Sequence, residues 1–434
     1  MPSIPKQIII RGGAQLQGSV HAPPSKSHTH RALIAASLSA EKSKITNPSL
    51  SEDAAATIGA ITAYGAKVGL QDGSFIVVGV DHIETPADVV SCGESASTAR
   101  FVTPILAHAE GISVVTGGAS LRERPMQPLL DAMRQLGVTC HSARNDGHIP
   151  LILFGRTYKG GKAKIAGDVS SQFISGLLFS APLGPHPTLI EVNTSLESKP
   201  YARMTIEVLR CHGIEVDANA DLTRFTINGT QTARAHDHVI EGDYSSAAFM
   251  FAAAAVTGSK IRVSGLKTSG SIQGDSEVLS ILGDMGIDVQ TGRESVRVQP
   301  RRLQATEIDA TDHPDLVLPL AVMACHAQGT TKITNAERLR VKESDRLAAL
   351  SSELGKMGAK IRETEDGLEI TGVPFLKGAR VNSHGDHRIA MACAVAALAA
   401  KGTTTLDGAP CVAKSYPRFF EDLKSLGGDI SGRK

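Results

Sequence analysis

Residues 282–289 read LGDMGIDV. An apolar residue, Leu282, is followed four positions on by Gly286, and three after that by a second apolar residue, Val289. The pattern describes an amphipathic helix that stops at a glycine able to take the left-handed conformation, then turns directly into a strand with apolar residues on one face. The signature recurs as ITAYGAKV (61–68), MRQLGVTC (133–140), LRCHGIEV (209–216), LGKMGAKI (354–361) and LKSLGGDI (423–430). Its glycines, Gly65, Gly137, Gly213, Gly286, Gly358 and Gly427, are spaced by 72, 76, 73, 72 and 69 residues. Six units of about 72 residues account for nearly all of the 434-residue chain.

A second element lies between successive signatures. It is a helix of small apolar residues followed by a polar turn and a β-branched strand, as in SSAAFMFAAAAVTGSKIRVSG (245–265) and GDHRIAMACAVAALAAKGTTTLDG (385–408). Four further instances begin near Ser25, Ser97, Ser170 and Pro314. Each unit therefore reads βαβαβ, with one small-residue helix and one amphipathic helix, and the fold class is α/β. Small residues allow close approach, so the Ala-rich helices are expected innermost. The longest apolar run, 389–400, is too short to span a bilayer and reads as one of them.

Composition excludes several functions. Lys and Arg number 45 against 44 Asp and Glu, which argues against a globally basic nucleic-acid binder. Aromatic residues are only 4% and Trp is absent, so a base-stacking platform is not expected. Six cysteines without a CxxC pair fit free thiols in a cytoplasmic protein. The start MPSIPKQIII lacks the long apolar stretch of a secretory leader.

Polar residues gather where the Ala-rich helices begin: Ser25-Lys26-Ser27, Ser97-Thr98, Ser170-Ser171-Gln172, Ser245-Ser246, Pro314-Asp315 and Asp386-His387-Arg388. Serine and aspartate there are ordinary helix caps. Lys26, Arg31, Arg100 and Arg388 are not explained by capping, because a cation near a helix N-terminus opposes the macrodipole unless an anion is held there. Other motifs fail. GRTYKGGK (155–162) has Arg156 where the GxxxxGK pattern needs Gly and Ala163 where Ser or Thr should follow the lysine, and GESAS (93–97) ends in Ser where a nucleophile elbow needs Gly. His28/His30 and His236/His238 lack zinc-site spacing and are expected to be surface or helix-turn residues; no metal site is expected.

An ordered set of motifs runs the length of the chain: PPSKS (23–27) with Arg31, RERPM (122–126), SSQF (170–173), SKPY (198–201), EGDYSS (241–246), QGD (273–275), LRVKESDR (339–346) and GDHR (385–388). In this order they closely resemble the 3-phosphoshikimate 1-carboxyvinyltransferase (EPSP synthase) family. The resemblance implies a two-lobed inside-out α/β barrel with six βαβαββ-type repeats, three per lobe. Residues 22–241 would form one lobe, on the shikimate 3-phosphate side, and 1–21 plus 242–434 the other, with the active site in the interlobe cleft. It implies transfer of the enolpyruvyl group of phosphoenolpyruvate to the 5-hydroxyl of shikimate 3-phosphate, with release of phosphate through a tetrahedral intermediate. This is a step in aromatic amino-acid biosynthesis. No cofactor is implied, and the partners are the two small-molecule substrates, without nucleic acid or membrane, for a monomer.

By the same resemblance, shikimate 3-phosphate meets Lys26, Ser27, Arg31, Ser170, Ser171, Gln172, Ser198 and Lys342. Phosphoenolpyruvate meets Lys26, Arg124, Gln172, Arg346, Arg388 and Lys414. Asp315 matches the family's proton acceptor, Glu343 its proton-handling glutamate, and Lys26 stabilises the transferring charge. Two positions depart from the family pattern. Ala96 stands where members commonly have Gly, a change associated with tolerance to glyphosate, which occupies the phosphoenolpyruvate site. Arg338 stands where many members place Asn to touch the shikimate ring. Two rival readings remain: the sister UDP-N-acetylglucosamine 1-carboxyvinyltransferase, and a non-enzymatic repeat scaffold. The sister typically has Lys-Asn in place of Lys26-Ser27 and a loop cysteine near RERP, yet 117–128 hold no cysteine. A scaffold would have no reason to keep Lys26, Asp315, Glu343 and Arg388 together.

Overall fold

In a computed structural model, which describes residues 4–433, all six repeat glycines have positive φ, from +76° at Gly213 to +111° at Gly65. A side chain would be strained at each, so the glycine ends the helix and redirects the chain. The helices that end there are Glu52–Ala63, Gln127–Gln135, Lys199–Cys211, Val278–Asp284, Arg346–Lys356 and Phe419–Ser425.

The strands among the described residues form six four-stranded sheets with one shared topology. In the repeat around Gly137, strand Val90–Ser91 lies parallel to Ile112–Thr116, and Thr139–Ser142 forms an antiparallel hairpin with Leu151–Phe154, which pairs back onto Ile112–Thr116. Each repeat is thus βαβαββ, one strand more than the βαβαβ read from the periodicity alone. The extra strand is the inner hairpin arm, such as Ser74–Val78 or Leu368–Thr371.

The small-residue helices are Lys26–Ser37, Ala96–Leu106, Ser171–Ser180, Tyr244–Thr257, Val317–Ala324 and His387–Ala399. They are innermost, as expected. Ten of the twelve residues of the first are buried, and the last is buried from His387 through Leu398. The fifth departs from the pattern: Asp315 lies in a 3-10 turn, Pro314–Leu316, and does not cap the helix that follows. Proline at 314 favours this tight entry.

The chain divides into two compact units, Pro24–Ile240 and Met1–Pro23 with Glu241–Lys434. Each holds three sheets and one apolar core. In the second-named unit the helices Tyr244–Thr257, Val317–Ala324 and His387–Ala399 pack against one another. The units are completed across long sequence distances. His238–Val239 is the first strand of the sheet built on Lys42–Thr46. Gln17–His21 opens the sheet of Lys260–Ser264, and Gln7–Arg11 fills the inner arm between Thr403–Asp407 and Asp429–Arg433. No described helix is long and apolar enough to cross a membrane.

Candidate active-site residues

In the unit Pro24–Ile240, the starts of the small-residue helices are tied into one polar network. Ser25 caps the first helix by accepting from the His28 amide, Ser95 caps the second through the Thr98 amide, and Ser170 caps the third through the Gln172 amide. Ser95, the candidate elbow serine, is therefore a buried cap. Arg100 donates to Ser170 Oγ at 3.1 Å and to Gln172 Oε1 at 2.9 Å, and Gln172 Nε2 donates to Ser97 Oγ at 2.9 Å. The same guanidinium reaches the Pro125 carbonyl at 3.3 Å, steadying the segment that carries Arg124, itself only 5% exposed. Ala96, buried, opens the helix beside Ser97.

Lys26 lies in the first turn of its helix with Nζ 2.6 Å from Asp53 Oδ2. Asp53 is a residue that sequence reasoning missed; at the second position of its helix it looks like an ordinary dipole partner. Arg31 is buried, with four of its N–H groups on Thr205, Ser27, Ser175 and Tyr201 acceptors. Its guanidinium also lies 5.0 Å from the Phe101 ring centre. Burial pulls its pKa down to about 10, still cationic at neutral pH. Much of its donor capacity thus braces the Lys199–Cys211 helix, at whose start Ser198 sits with φ +55°, buried and making no side-chain cap. A non-glycine residue held left-handed at a helix start is strained backbone of the kind that marks functional positions. Ser27 and Ser171 complete this set, in the first turns of their helices.

His236 is exposed, as expected, whereas His28, His30 and His238 are buried. Strand His238–Val239 packs its histidine among the rings of His28, His212 and His236, and the His30 ring lies against the Thr57 hydroxyl. No group of three His, Cys, Asp or Glu among the described residues is placed to hold a metal. GRTYKGGK joins two strands, with no helix after it.

The other unit gathers a charged cluster. Arg346 Nη1 donates to Asp315 Oδ1 at 3.0 Å, Nη2 to Glu343 Oε2 at 2.7 Å, and Nε to Asp386 Oδ2 at 2.8 Å. Arg388 Nη2 donates to Asp315 Oδ2 at 2.7 Å. Lys414 Nζ lies 3.1 Å from the Gly385 carbonyl, one residue before Asp386. Asp386, fully buried, also caps its helix by accepting from the Arg388 amide. Burial would raise the Asp315 pKa, but Arg388, then Arg346 and Lys342, outweigh it and hold the carboxyl below its ordinary value. Burial likewise works against the Arg346 charge, and Asp386, Glu343 and Asp315 overcome it, leaving the guanidinium above its ordinary pKa. Asp315 is thus an ionised acceptor at neutral pH. Arg388 keeps Nη1 buried with no hydrogen-bond partner among the described residues. A buried, unsatisfied cationic N–H is costly, and a carboxylate or phosphate oxygen is its natural complement.

Arg338 is buried and donates to the carbonyls of Ala310 and Thr311, so it braces the loop leading to Asp315. Asn335 forms an exposed left-handed turn and bonds Asp309 at 3.0 Å.

Residues 10–423 match the profile of the family described as EPSP synthase (3-phosphoshikimate 1-carboxyvinyltransferase). A 3-phosphoshikimate 1-carboxyvinyltransferase of Methanocella arvoryzae is 46% identical over 416 residues, covering 95% of this chain and 97% of the relative. That of Methanococcus maripaludis is 40% identical over 427 residues, covering 98% and 99%. Among solved structures, EPSP synthase from Acinetobacter baumannii superposes with a TM-score of 0.82 at 26% identity, over 99% of this chain and 100% of that one. The enolpyruvyl transferase NikO of Streptomyces tendae, at 23% identity and a TM-score of 0.80 over 99% of each chain, shares the fold.

Proposed function

From the premise that this chain belongs to the EPSP synthase family, we propose how its residues carry out the family's reaction. The enzyme transfers the enolpyruvyl group of phosphoenolpyruvate to shikimate 3-phosphate. In our reading, the 5-hydroxyl oxygen bonds to C2 of the enol as a proton is added at C3, giving a tetrahedral ketal phosphate. The C2–O bond to phosphate then breaks as a proton leaves C3, regenerating the double bond and freeing phosphate.

Asp315 accepts the hydroxyl proton and Glu343 handles the proton at C3. Arg346 and Arg388 grip carboxylate or phosphate oxygens with planar N–H forks, while Lys26, Lys342 and Lys414 act as point charges. Lys26 and Arg124 stabilise the departing phosphate, and Ser27, Arg31, Ser170, Ser171, Gln172 and Ser198 hold shikimate 3-phosphate. The observation that carries this reading is the Arg388 guanidinium: one nitrogen grips Asp315 while the other is buried without a partner. An anionic substrate there would satisfy the arginine and loosen its hold on Asp315, making that carboxylate a better base. We further read the enzyme as a cytoplasmic monomer. Its six free cysteines support the cytoplasmic part of this reading.

The test is phosphate release with both substrates, repeated with a UDP-sugar acceptor in place of shikimate 3-phosphate. Release with the UDP-sugar alone would select the sister activity, and the absence of release with either would remove the enzymatic reading.

A further inference from the structure

The QGD motif, 273–275, holds a carboxyl with no part in the reaction as described above. Asp275 sits in the 3-10 turn Gly274–Glu277 and is 1% exposed. This turn packs on the Tyr244–Thr257 helix, as does the Pro314–Leu316 turn that carries Asp315. Ser245, in the first turn of that helix, donates its hydroxyl to Asp275 Oδ2. The other oxygen, Oδ1, is buried with no hydrogen-bond partner among the described residues. The charged groups bearing on Asp275 come from three directions: Asp243 from the cap of the same helix, Asp315 from its turn, and Arg388 from the His387–Ala399 helix.

A carboxylate with one serine donor and one bare oxygen is poorly solvated, and a second carboxylate faces it. Burial first, then the negative charge of Asp315, push Asp275 up to about 7. The two carboxyls respond oppositely to one environment: Asp315, gripped by Arg388 and Arg346, stays ionised, while Asp275 sits at the edge of ionisation. Each charge raises the proton affinity of the other.

We propose that Asp275 is a positioning residue for the transfer: as a buried anion beside Asp315 it strengthens that carboxylate as a base, and protonating Asp275 withdraws the help. The inference rests on Asp315 being the base. The arginines that hold Asp315 in place also weaken it as a proton acceptor, and the charge of Asp275 offsets part of that loss without touching substrate. No proton passes through Asp275 in this scheme; its ionisation only changes how tightly Asp315 binds the hydroxyl proton.

The test is kcat against pH from 5.5 to 9 at saturating substrates, for wild type, Asp275→Asn, Ser245→Ala and Asp315→Asn. Substrate ionisation is common to all four, so the ratio of wild type to variant isolates the protein. The ratio of wild type to Asp275→Asn is expected to rise from about one below pH 6 to about tenfold above pH 8, with a midpoint near 7. Tenfold corresponds to about a hundredfold change in proton affinity felt half-way through proton transfer. Ser245→Ala removes a donor that favours the Asp275 anion, so its acid limb should move to higher pH. A loss in Asp275→Asn that is uniform across pH would mark a structural role and overturn the proposal. If that variant does not fold, an unmoved limb in Ser245→Ala overturns it instead. The base itself is judged separately: Asp315→Asn with near-wild-type turnover removes the assignment of Asp315, whatever the other variants do.

Discussion

Arg388 Nη2 lies 2.7 Å from Asp315 Oδ2, a contact between residues 73 positions apart, close to one repeat length. Arg100 and Gln172, at 2.9 Å, are 72 apart. Both contacts join the helix start of one repeat to the helix start of the next, so the repetition that builds the fold also assembles the charged sets.

Asp315→Ala should abolish most turnover and spare binding. Removal of a general base typically costs about 10²–10⁴-fold in kcat. Calorimetry should still register shikimate 3-phosphate, whose proposed contacts lie mainly in the other unit. Turnover close to wild type would show that another group takes the proton.

Arg346→Met should destabilise the fold as well as the reaction. Asp386 has no side-chain exposure and takes its strongest hydrogen bonds from Arg346 and the Arg388 amide. Stripping the cation from such a buried pair costs about 3–5 kcal/mol. In thermal unfolding the midpoint should fall by about 10 °C, at roughly 2–4 °C per kcal/mol for a unit of this size. An unchanged midpoint would mean that the Arg346–Asp386 ion pair contributes nothing to the stability of the fold.

Asp53→Asn tests how Lys26 is aimed. The 2.6 Å ion pair fixes Nζ, and a neutral amide holds it less firmly. A misplaced charged group lowers kcat/KM by about tenfold or more. Steady-state kinetics showing wild-type kcat/KM would make the pair a bystander.

Ala96→Gly should strengthen glyphosate inhibition. Ala96 is 5% exposed at the head of its helix, and one methyl group in a packed site is worth about 10-fold or more in discrimination. An unaltered inhibition constant would separate Ala96 from the inhibitor site.

Buried histidines should make stability fall in mild acid. His108 and His212 are each lowered to about 4 and His238 to about 3, chiefly by burial. They stay neutral in the native state, while in the unfolded chain they protonate near 6.5. Above that pH they contribute nothing to its dependence. As pH falls from 6.5 towards 4 the unfolded state gains the protons, and each site costs up to about 1.4 kcal/mol per pH unit. Urea midpoints at pH 7 and pH 5 measure this, and His238→Gln should flatten the slope. An equally steep slope in that variant would place the acid sensitivity elsewhere.

The six glycines were legible in the sequence because each sits where helical periodicity ends, and only a left-handed residue can make that turn. The fourth strand of each repeat was not: between Lys67–Gln71 and Ser74–Val78 only the Asp72-Gly73 turn marks a hairpin, and the six-fold signature ends at the first of these two strands. The helix-start cations were visible as exceptions to the dipole rule. Their partners were not: Asp53 reads as an unremarkable first-turn acid, and Asp275 as part of a motif without a task. Arg31 and Arg338 show the same limit. A sequence displays the charge of an arginine, whereas how many of its donors the protein itself occupies depends on helices and loops far away along the chain.

The closing of both units by distant strands sets an order of events during synthesis. Pro24–Ile240 can be completed as soon as His238–Val239 leaves the ribosome to pair with Lys42–Thr46. Gln7–Arg11 is made first yet has no neighbour until Thr403–Asp407 is translated. At about 5–20 residues per second that interval is roughly 20–80 s. The nascent chain must therefore fold its middle before its beginning, with its first strand, rich in isoleucine, left unpaired on the growing polypeptide until the last repeat arrives to cover it.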